Sequence, residues 1–175
     1  MRYVALLRGI NVGGKNKIPM ERLREVAASI GFENVKTYVN SGNLAFDAKK
    51  ADDKRLEARL RDAIEREFGM NISVMVRSSD EIAGIVANNP FVGQFDNHKY
   101  FHVFFLDREL SNNEKKLLME QANENEMISV DGRTIYYLLR ISILDSALGK
   151  GFIDRKLKIP ATGRNWRTVE TIAAL

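Results

Sequence analysis

The sequence predicts an α+β fold in which two βαββαβ halves follow one another within 175 residues. Short apolar runs that end at Gly or turn residues alternate with segments whose apolar side chains recur every three or four positions. The order strand, helix, hairpin, helix, strand occurs once before residue 77 and again after residue 99. The chain has no Cys and 45% hydrophobic residues, so we expect it to be held together by an ordinary core, without disulfides or thiolate metal sites.

The first half, residues 1–77, opens with a buried strand over residues 3–8 that ends at Gly9. Pro19 marks the start of a helix, and Gly31 is a typical residue at its end. The turn Asn40-Ser41-Gly42-Asn43 then joins the two strands of a hairpin.

The half closes with an amphipathic helix and a strand over residues 72–76. The helix ends at Gly69, and its apolar residues fall every four positions. They are Leu56, Leu60, Ile64 and Phe68.

Residues 78–98 are predicted to be a connecting helix and loop, and residues 99–175 the second half with a C-terminal helix. A strand covers residues 100–106, and Ser111 with Glu114 forms the capping box of the next helix. Asp131-Gly132 is a hairpin turn signal.

The end of the second half is predicted as a helix over 146–157 and a short strand over 158–161. Thr162 would cap the final helix, whose apolar face includes Trp166.

Charge is uneven along the chain, although the net charge is only +4. Residues 1–40 and 140–175 each carry +4, and residues 41–139 carry −4. Basic segments attract anions even when the net charge is small, whereas many charge runs are only solvated faces. The basic ends are therefore where we look for an anion site.

Gly9 to Lys15 matches the first seven positions of the phosphate-loop pattern G-x-x-x-x-G-K, but Asn16 stands where that motif needs Ser or Thr. Pro19 also starts the helix about four residues late for such a loop. Three interpretations stay open: a nucleotide hydrolase, which these two departures disfavour, a turn that needs glycine for its backbone geometry, and a loop whose amides and cations bind an anion.

The segment Thr162-Gly163-Arg164-Asn165-Trp166-Arg167 places two arginines around the only Trp. Such a group can bind phosphate or stack on a base. Alternatively, Trp166 is a core residue of the last helix and the arginines face solvent. His98 and His102 are the only histidines, and no metal cluster, nucleophile motif or RNA-binding sheet motif is evident.

The segment Tyr3 to Met20, with Leu23, Gly31-Phe32, Thr37-Tyr38-Val39 and Ser41-Gly42-Asn43, closely resembles the opening of the bacterial "domain of unknown function 1697" family. Pro160 to Val169 resembles the closing motif of that family. The resemblance implies two ferredoxin-like βαββαβ repeats and supplies no reaction. The family often has Arg-Ser-Lys-Leu where this chain has Asp145-Ser146-Ala147-Leu148, and a Lys where Thr171 stands. If those Arg and Lys side chains hold an anion in the family, this chain would bind the anion less well.

We therefore expect a cytoplasmic protein, with no membrane span and no cofactor, that binds a phosphate-bearing anion: a nucleotide, a phosphorylated metabolite or a nucleic-acid backbone. The first alternative is an enzyme acting on a phosphorylated small molecule, which would need a general acid or base that is not recognisable in the sequence. The second alternative is a protein-interaction module. The hypothesis requires the two basic ends to meet. The predicted ligand-binding residues are Arg8, Gly9, Asn11, Gly13, Gly14, Lys15, Lys17, Ser41, Asn43, Arg164, Asn165 and Trp166.

Overall fold

The computed structural model describes all 175 residues and divides them into two compact units, each containing one four-stranded antiparallel sheet. The first unit comprises Met1–Gly84 with Thr171–Leu175, and the second comprises Ile85–Glu170. The α+β class and the duplicated ferredoxin-like arrangement predicted from the sequence are confirmed.

The first unit has the strand order β2-β3-β1-β4, with helices between the strands. Its last helix, α3, runs across the boundary into the second unit. The elements are β1 (Arg2–Leu7), α1 (Met20–Ser29), β2 (Glu33–Tyr38), β3 (Asn43–Asp47), α2 (Asp53–Phe68), β4 (Val74–Ser78) and α3 (Ser79–Ala87).

The core of the first unit lies between one face of the sheet and helices α1 and α2. Tyr3 pairs with Phe46 across β1 and β3, so that both rings point to the same face. Phe32 stacks on Phe46 with ring centroids 4.0 Å apart. From the helices, Leu23 and Leu60 are completely buried in the same cluster, as their helical spacing predicts.

Local signals set the ends of α2. Asp52 caps its start by accepting a hydrogen bond from the Lys54 amide at 2.8 Å. Gly69 ends it in the left-handed conformation, with φ 65°.

A buried side chain of α2 also bonds to the edge of the sheet. The carboxylate of Glu57 accepts a hydrogen bond from the Val76 amide of edge strand β4 at 2.9 Å, which satisfies a donor that the sheet leaves unpaired.

The second unit repeats the topology with the strand order β6-β7-β5-β8. A 3₁₀ turn precedes β5, and a short π-helix takes the place that α2 holds in the first unit. The elements are β5 (Phe101–Leu106), α4 (Asn112–Met119), β6 (Glu126–Asp131), β7 (Thr134–Leu139), the π-helix (Ile153–Leu157), β8 (Ala161–Asn165) and α5 (Trp166–Ala173).

The core of the second unit lies where α4 and the π-helix cover its sheet, with Leu118 and Ile153 buried against Ile135. Tyr137 is buried in the same cluster, and its hydroxyl donates to the Glu126 carboxylate. The Ser111–Glu114 capping box at the start of α4 is present as predicted.

Three boundaries in the second half differ from the prediction. Residues 146–157 do not form one α-helix: a turn region precedes the π-helix. The last strand lies at 161–165 rather than 158–161, so α5 begins at Trp166 and Thr162 lies too early in the chain to cap it. Asn165 caps α5 instead, accepting the Thr168 amide at 2.9 Å. The antiparallel pairing of β8 with β5 extends as far as Asn165, which lies opposite His102, and this sets where α5 can begin.

The two units also correspond at individual positions. Val4, the third residue of β1, pairs with Arg77, and Val103, the third residue of β5, pairs with Arg164. Both arginines are buried, and each Nη1 donates to the carbonyl oxygen of the preceding residue at 2.8 Å. This correspondence extends the duplication from element order to side-chain placement.

Candidate functional site

The glycine-rich segment after β1 is a small hairpin rather than a phosphate loop. The amide of Lys15 donates to the carbonyl oxygen of Val12 at 3.0 Å, and Gly13 and Gly14 have φ values of 57° and 76°. Two consecutive positive φ values are the requirement of a type I′ turn, which glycine meets without strain. The amide of Asn11 donates to the Asn16 carbonyl oxygen at 3.1 Å and closes the hairpin.

Asn11 attaches this hairpin to the rest of the first unit. Its Nδ2 donates to the carbonyl oxygens of Ile18, at 3.0 Å, and Asn40, at 2.8 Å. Its Oδ1 accepts the Ile18 amide at 2.9 Å. Ile10 and Ile18 are buried at either end of the segment, so the hairpin base is fixed while the tip at Gly13 is exposed.

The structure brings the predicted turn of the β2–β3 hairpin against this segment. The amide of Leu7 donates to the Gly42 carbonyl oxygen at 2.8 Å. A Cβ on Gly42 would lie 2.7 Å from Ile10 Cδ1 and 2.7 Å from Leu7 Cβ, so only glycine fits. Asn43 is completely buried and donates to Ser41 Oγ at 3.1 Å. Asn43 therefore holds the turn from inside.

A pocket of about 390 Å³ opens beside the hairpin base, at the start of α1. Pro19 occupies the N-cap position of α1 and provides no side-chain cap, so the first-turn amides of the helix are left to solvent or a ligand. Lys17 is exposed at the rim. The lining residues are Asn11, Gly14, Lys17, Ile18, Pro19, Met20 and Asn40.

Sequence reasoning identified Asn11, Gly14 and Lys17 but not Asn40 or the start of α1 as parts of one site. Pro19 was the available signal, because it marked where the helix would begin. Gly9 turns the chain after β1 with φ 66°, and the amide of Arg8 donates to the Ser73 carbonyl oxygen at 3.0 Å. Lys15 lies on the exposed hairpin.

The predicted residues of the C-terminal motif belong to the second unit, and their side chains serve its structure. Trp166 is 3% exposed and stacks on Phe101 with centroids 4.6 Å apart. Arg164 Nη1 donates to Thr162 Oγ1 at 2.8 Å, and burial lowers the pKa of its guanidinium to about 10. With Asn165 acting as the cap of α5, this motif is explained by packing and capping.

The described side chains contain no group of three or more His, Asp or Glu placed to hold a metal ion. None of the helices has the length and apolar character needed to cross a bilayer.

A family model described as "Protein of unknown function (DUF1697)" matches residues 1–136. The chain belongs to this family. The match covers the N-terminal hairpin and the pocket beside α1, and it confirms the resemblance found in the sequence.

This DUF1697 member is similar in structure to a solved protein described as the conserved bacterial protein SP0830 from Streptococcus pneumoniae. The two are 25% identical, with a TM-score of 0.79, and the alignment covers 99% of this chain and 97% of the other. Comparison with curated proteins gave no significant match.

Ser146, in the segment Asp145-Ser146-Ala147-Leu148, is a structural serine. Ser146 is 1% exposed, donates to the Ile143 carbonyl oxygen at 2.7 Å and accepts the Gly149 amide at 3.0 Å. Leu148 is buried in the core of the second unit. Ser146 and Leu148 thus shape the turn before the π-helix, and Asp145 and Ala147 flank Ser146.

Proposed function

We propose that this protein binds a phosphate-bearing anion in the pocket at the start of α1. The observation that carries the proposal is the combination of an uncapped helix start and an exposed lysine on one concave surface. The N-terminus of a helix presents free amides and a partial positive charge. Lys17 adds a full charge at the rim, and the side chain of Asn11 holds the surrounding backbone in place.

The ligand class that fits is a nucleotide, a phosphorylated metabolite or a phosphate of a nucleic-acid backbone. Lys15, on the neighbouring hairpin, would add longer-range attraction. Arg164, Asn165 and Trp166 are left out of this proposal, because burial, capping and stacking already account for them. The proposed site therefore rests on the first unit alone.

Binding is favoured over catalysis at this site. Acid–base catalysis needs a titratable group within hydrogen-bond reach of the substrate. Lys17 is the one ionisable side chain in the pocket lining, and the proposal already uses its charge to bind the anion. The cytoplasm remains the expected compartment, since a Cys-free chain suits reducing conditions.

The test is titration of the full chain with inorganic phosphate and with a nucleoside monophosphate, followed through the backbone amide signals of residues 20–22. A charge-assisted hydrogen bond contributes about 1.5–3 kcal/mol, so we expect Lys17→Ala to weaken binding roughly 10- to 100-fold. Lys36→Ala, which removes an exposed lysine from β2, is the matched control. Equal affinity of the two variants, or no amide shift with millimolar ligand, would contradict the proposal.

A single-stranded oligonucleotide distinguishes the nucleic-acid form of the ligand from the small-molecule form. Affinity for a nucleic-acid backbone falls steeply as salt rises, because binding releases condensed counterions. Affinity for the oligonucleotide that does not change between low and moderate salt would exclude the nucleic-acid form.

A further inference from the structure

The second unit contains a cleft of about 710 Å³ at one end of its sheet. It lies where β7 ends, where the turn before β6 returns, and where residues 93–100 lead into β5. Cavities of about 300–1,000 Å³ are the usual size for small-molecule sites in proteins. None of the residues predicted from the sequence to bind a ligand lines this cleft.

Part of the cleft is apolar. Met127 and Leu138 form a cross-strand pair, and the next strand continues the row with Phe101 opposite Leu138. The Phe95 ring packs on Phe101 with centroids 4.8 Å apart. Met127 is 41% exposed, so an apolar surface remains open to water beside these rings. Covering that surface with an apolar group is favourable.

The rest of the cleft carries charges of both signs. Arg140 is exposed, and its guanidinium has no hydrogen-bond or ion-pair partner within the protein. The amide of Arg140 donates to the Asn125 carbonyl oxygen at 2.8 Å, which fixes its backbone next to Glu124. Asp96 contributes a second carboxylate to the lining.

We propose that this cleft binds a free α-amino acid with a large apolar side chain, because an unpaired guanidinium, two carboxylates and an apolar surface line one cavity. Arg140 recognises the ligand carboxylate with its planar fork of donors. Asp96 and Glu124 receive the ammonium group. The apolar side chain of the ligand covers Met127 and Leu138. A simple anion would leave both carboxylates without a partner and a simple cation would leave Arg140 without one, so a zwitterion fits the set of charges.

This inference is independent of the anion site at α1, since every residue that lines the cleft belongs to the second unit. The test is calorimetric titration of the full chain with L-phenylalanine. N-acetyl-phenylalanine keeps only the carboxylate, phenylalaninamide keeps only the ammonium group, and glycine lacks the apolar side chain.

We expect saturable binding of phenylalanine and at least tenfold weaker binding of the other three probes. Arg140→Gln should weaken phenylalanine binding at least tenfold, and the double variant Asp96→Asn, Glu124→Gln should do the same. Arg66→Gln, which removes an exposed arginine from α2, should leave the affinity unchanged. All four positions are exposed, so the variants are expected to fold, and their far-UV circular dichroism verifies this.

Three results would overturn the proposal: no saturable binding of phenylalanine at millimolar concentration, equal binding of phenylalanine and its N-acetyl form, or equal affinity of Arg140→Gln and Arg66→Gln. Failure of phosphate binding at Lys17 would have no bearing on it.

Discussion

Removing the Asn11 side chain should release the N-terminal hairpin from the first unit. Asn11 makes three side-chain hydrogen bonds, to the Ile18 carbonyl oxygen, the Ile18 amide and the Asn40 carbonyl oxygen. Each is worth about 0.5–1.5 kcal/mol net. Asn11 is half-buried, so water replaces part of the loss, and we expect Asn11→Gly to cost about 2 kcal/mol locally.

Asn11→Ala should cost more than Asn11→Gly. Asn11 has φ 54°, a left-handed conformation that costs an ordinary L-residue roughly 1–2 kcal/mol and glycine very little. The pair of variants therefore separates the hydrogen bonds from the backbone strain. Asn16 also has a positive φ, 48°, and donates a single side-chain hydrogen bond, to the Gly9 carbonyl oxygen at 3.0 Å. Asn16→Gly is therefore the matched control.

Amide hydrogen exchange is the appropriate assay, because it reports local opening free energies residue by residue. The Ile18 amide, which donates to Asn11 Oδ1, should exchange roughly 30-fold faster in Asn11→Gly, and faster still in Asn11→Ala. Amides in β3 should be unaffected. Unchanged protection of Ile18 in both variants would refute the assignment of Asn11 as the attachment of the hairpin.

Two further predictions concern a pair of glycines and one ion pair. Gly149→Ala should destabilise the second unit by about 3 kcal/mol or more, because a Cβ there would lie 1.7 Å from the Ile143 carbonyl oxygen. A Cβ at Gly84, on α3, would meet nothing within 4 Å, so Gly84→Ala should instead stabilise the protein by about 0.5–1 kcal/mol. Urea unfolding of the two variants measures both changes in the free energy of unfolding. Hydrogen bonds from Arg108 lower the pKa of Glu114 from 4.5 to about 2, so its contribution to stability is complete above pH 4.5 and is lost as the pH falls through about 2. A carbon-detected NMR titration should show that pKa rising in Arg108→Gln; an unchanged pKa would refute the role of Arg108.

Much of the fold could be predicted because its signals are local. The end of α2 at Gly69 and the capping box at Ser111 are read from residues next to each other in the chain. The hairpin after β6 was predicted from Asp131-Gly132, and the structure places its two-residue loop one position later, at Gly132 and Arg133. Turn residues indicate that a hairpin exists more reliably than its register, which depends on the partner strand.

The candidate site at α1 could be predicted only in part. Asn11 and Lys17 could be predicted as site residues because they lie in a glycine-rich, basic segment between a predicted strand and a predicted helix. The role of Asn40 could not be seen, since it depends on a backbone carbonyl 29 residues away from Asn11 in the chain. No sequence pattern predicts the cleft at Arg140, because the residues that line it come from separate segments with ordinary sequences.

By itself, the sequence determined the order of strands and helices, the duplicated plan and the family, because hydrophobic periodicity, caps and turn residues act over a few positions. Tertiary structure decided which polar residues are accessible. Arg164 and Trp166 look like a ligand-binding pair in the sequence, yet strand pairing and ring stacking bury them. Burial depends on contacts between residues far apart in the chain, and no local pattern contains that information.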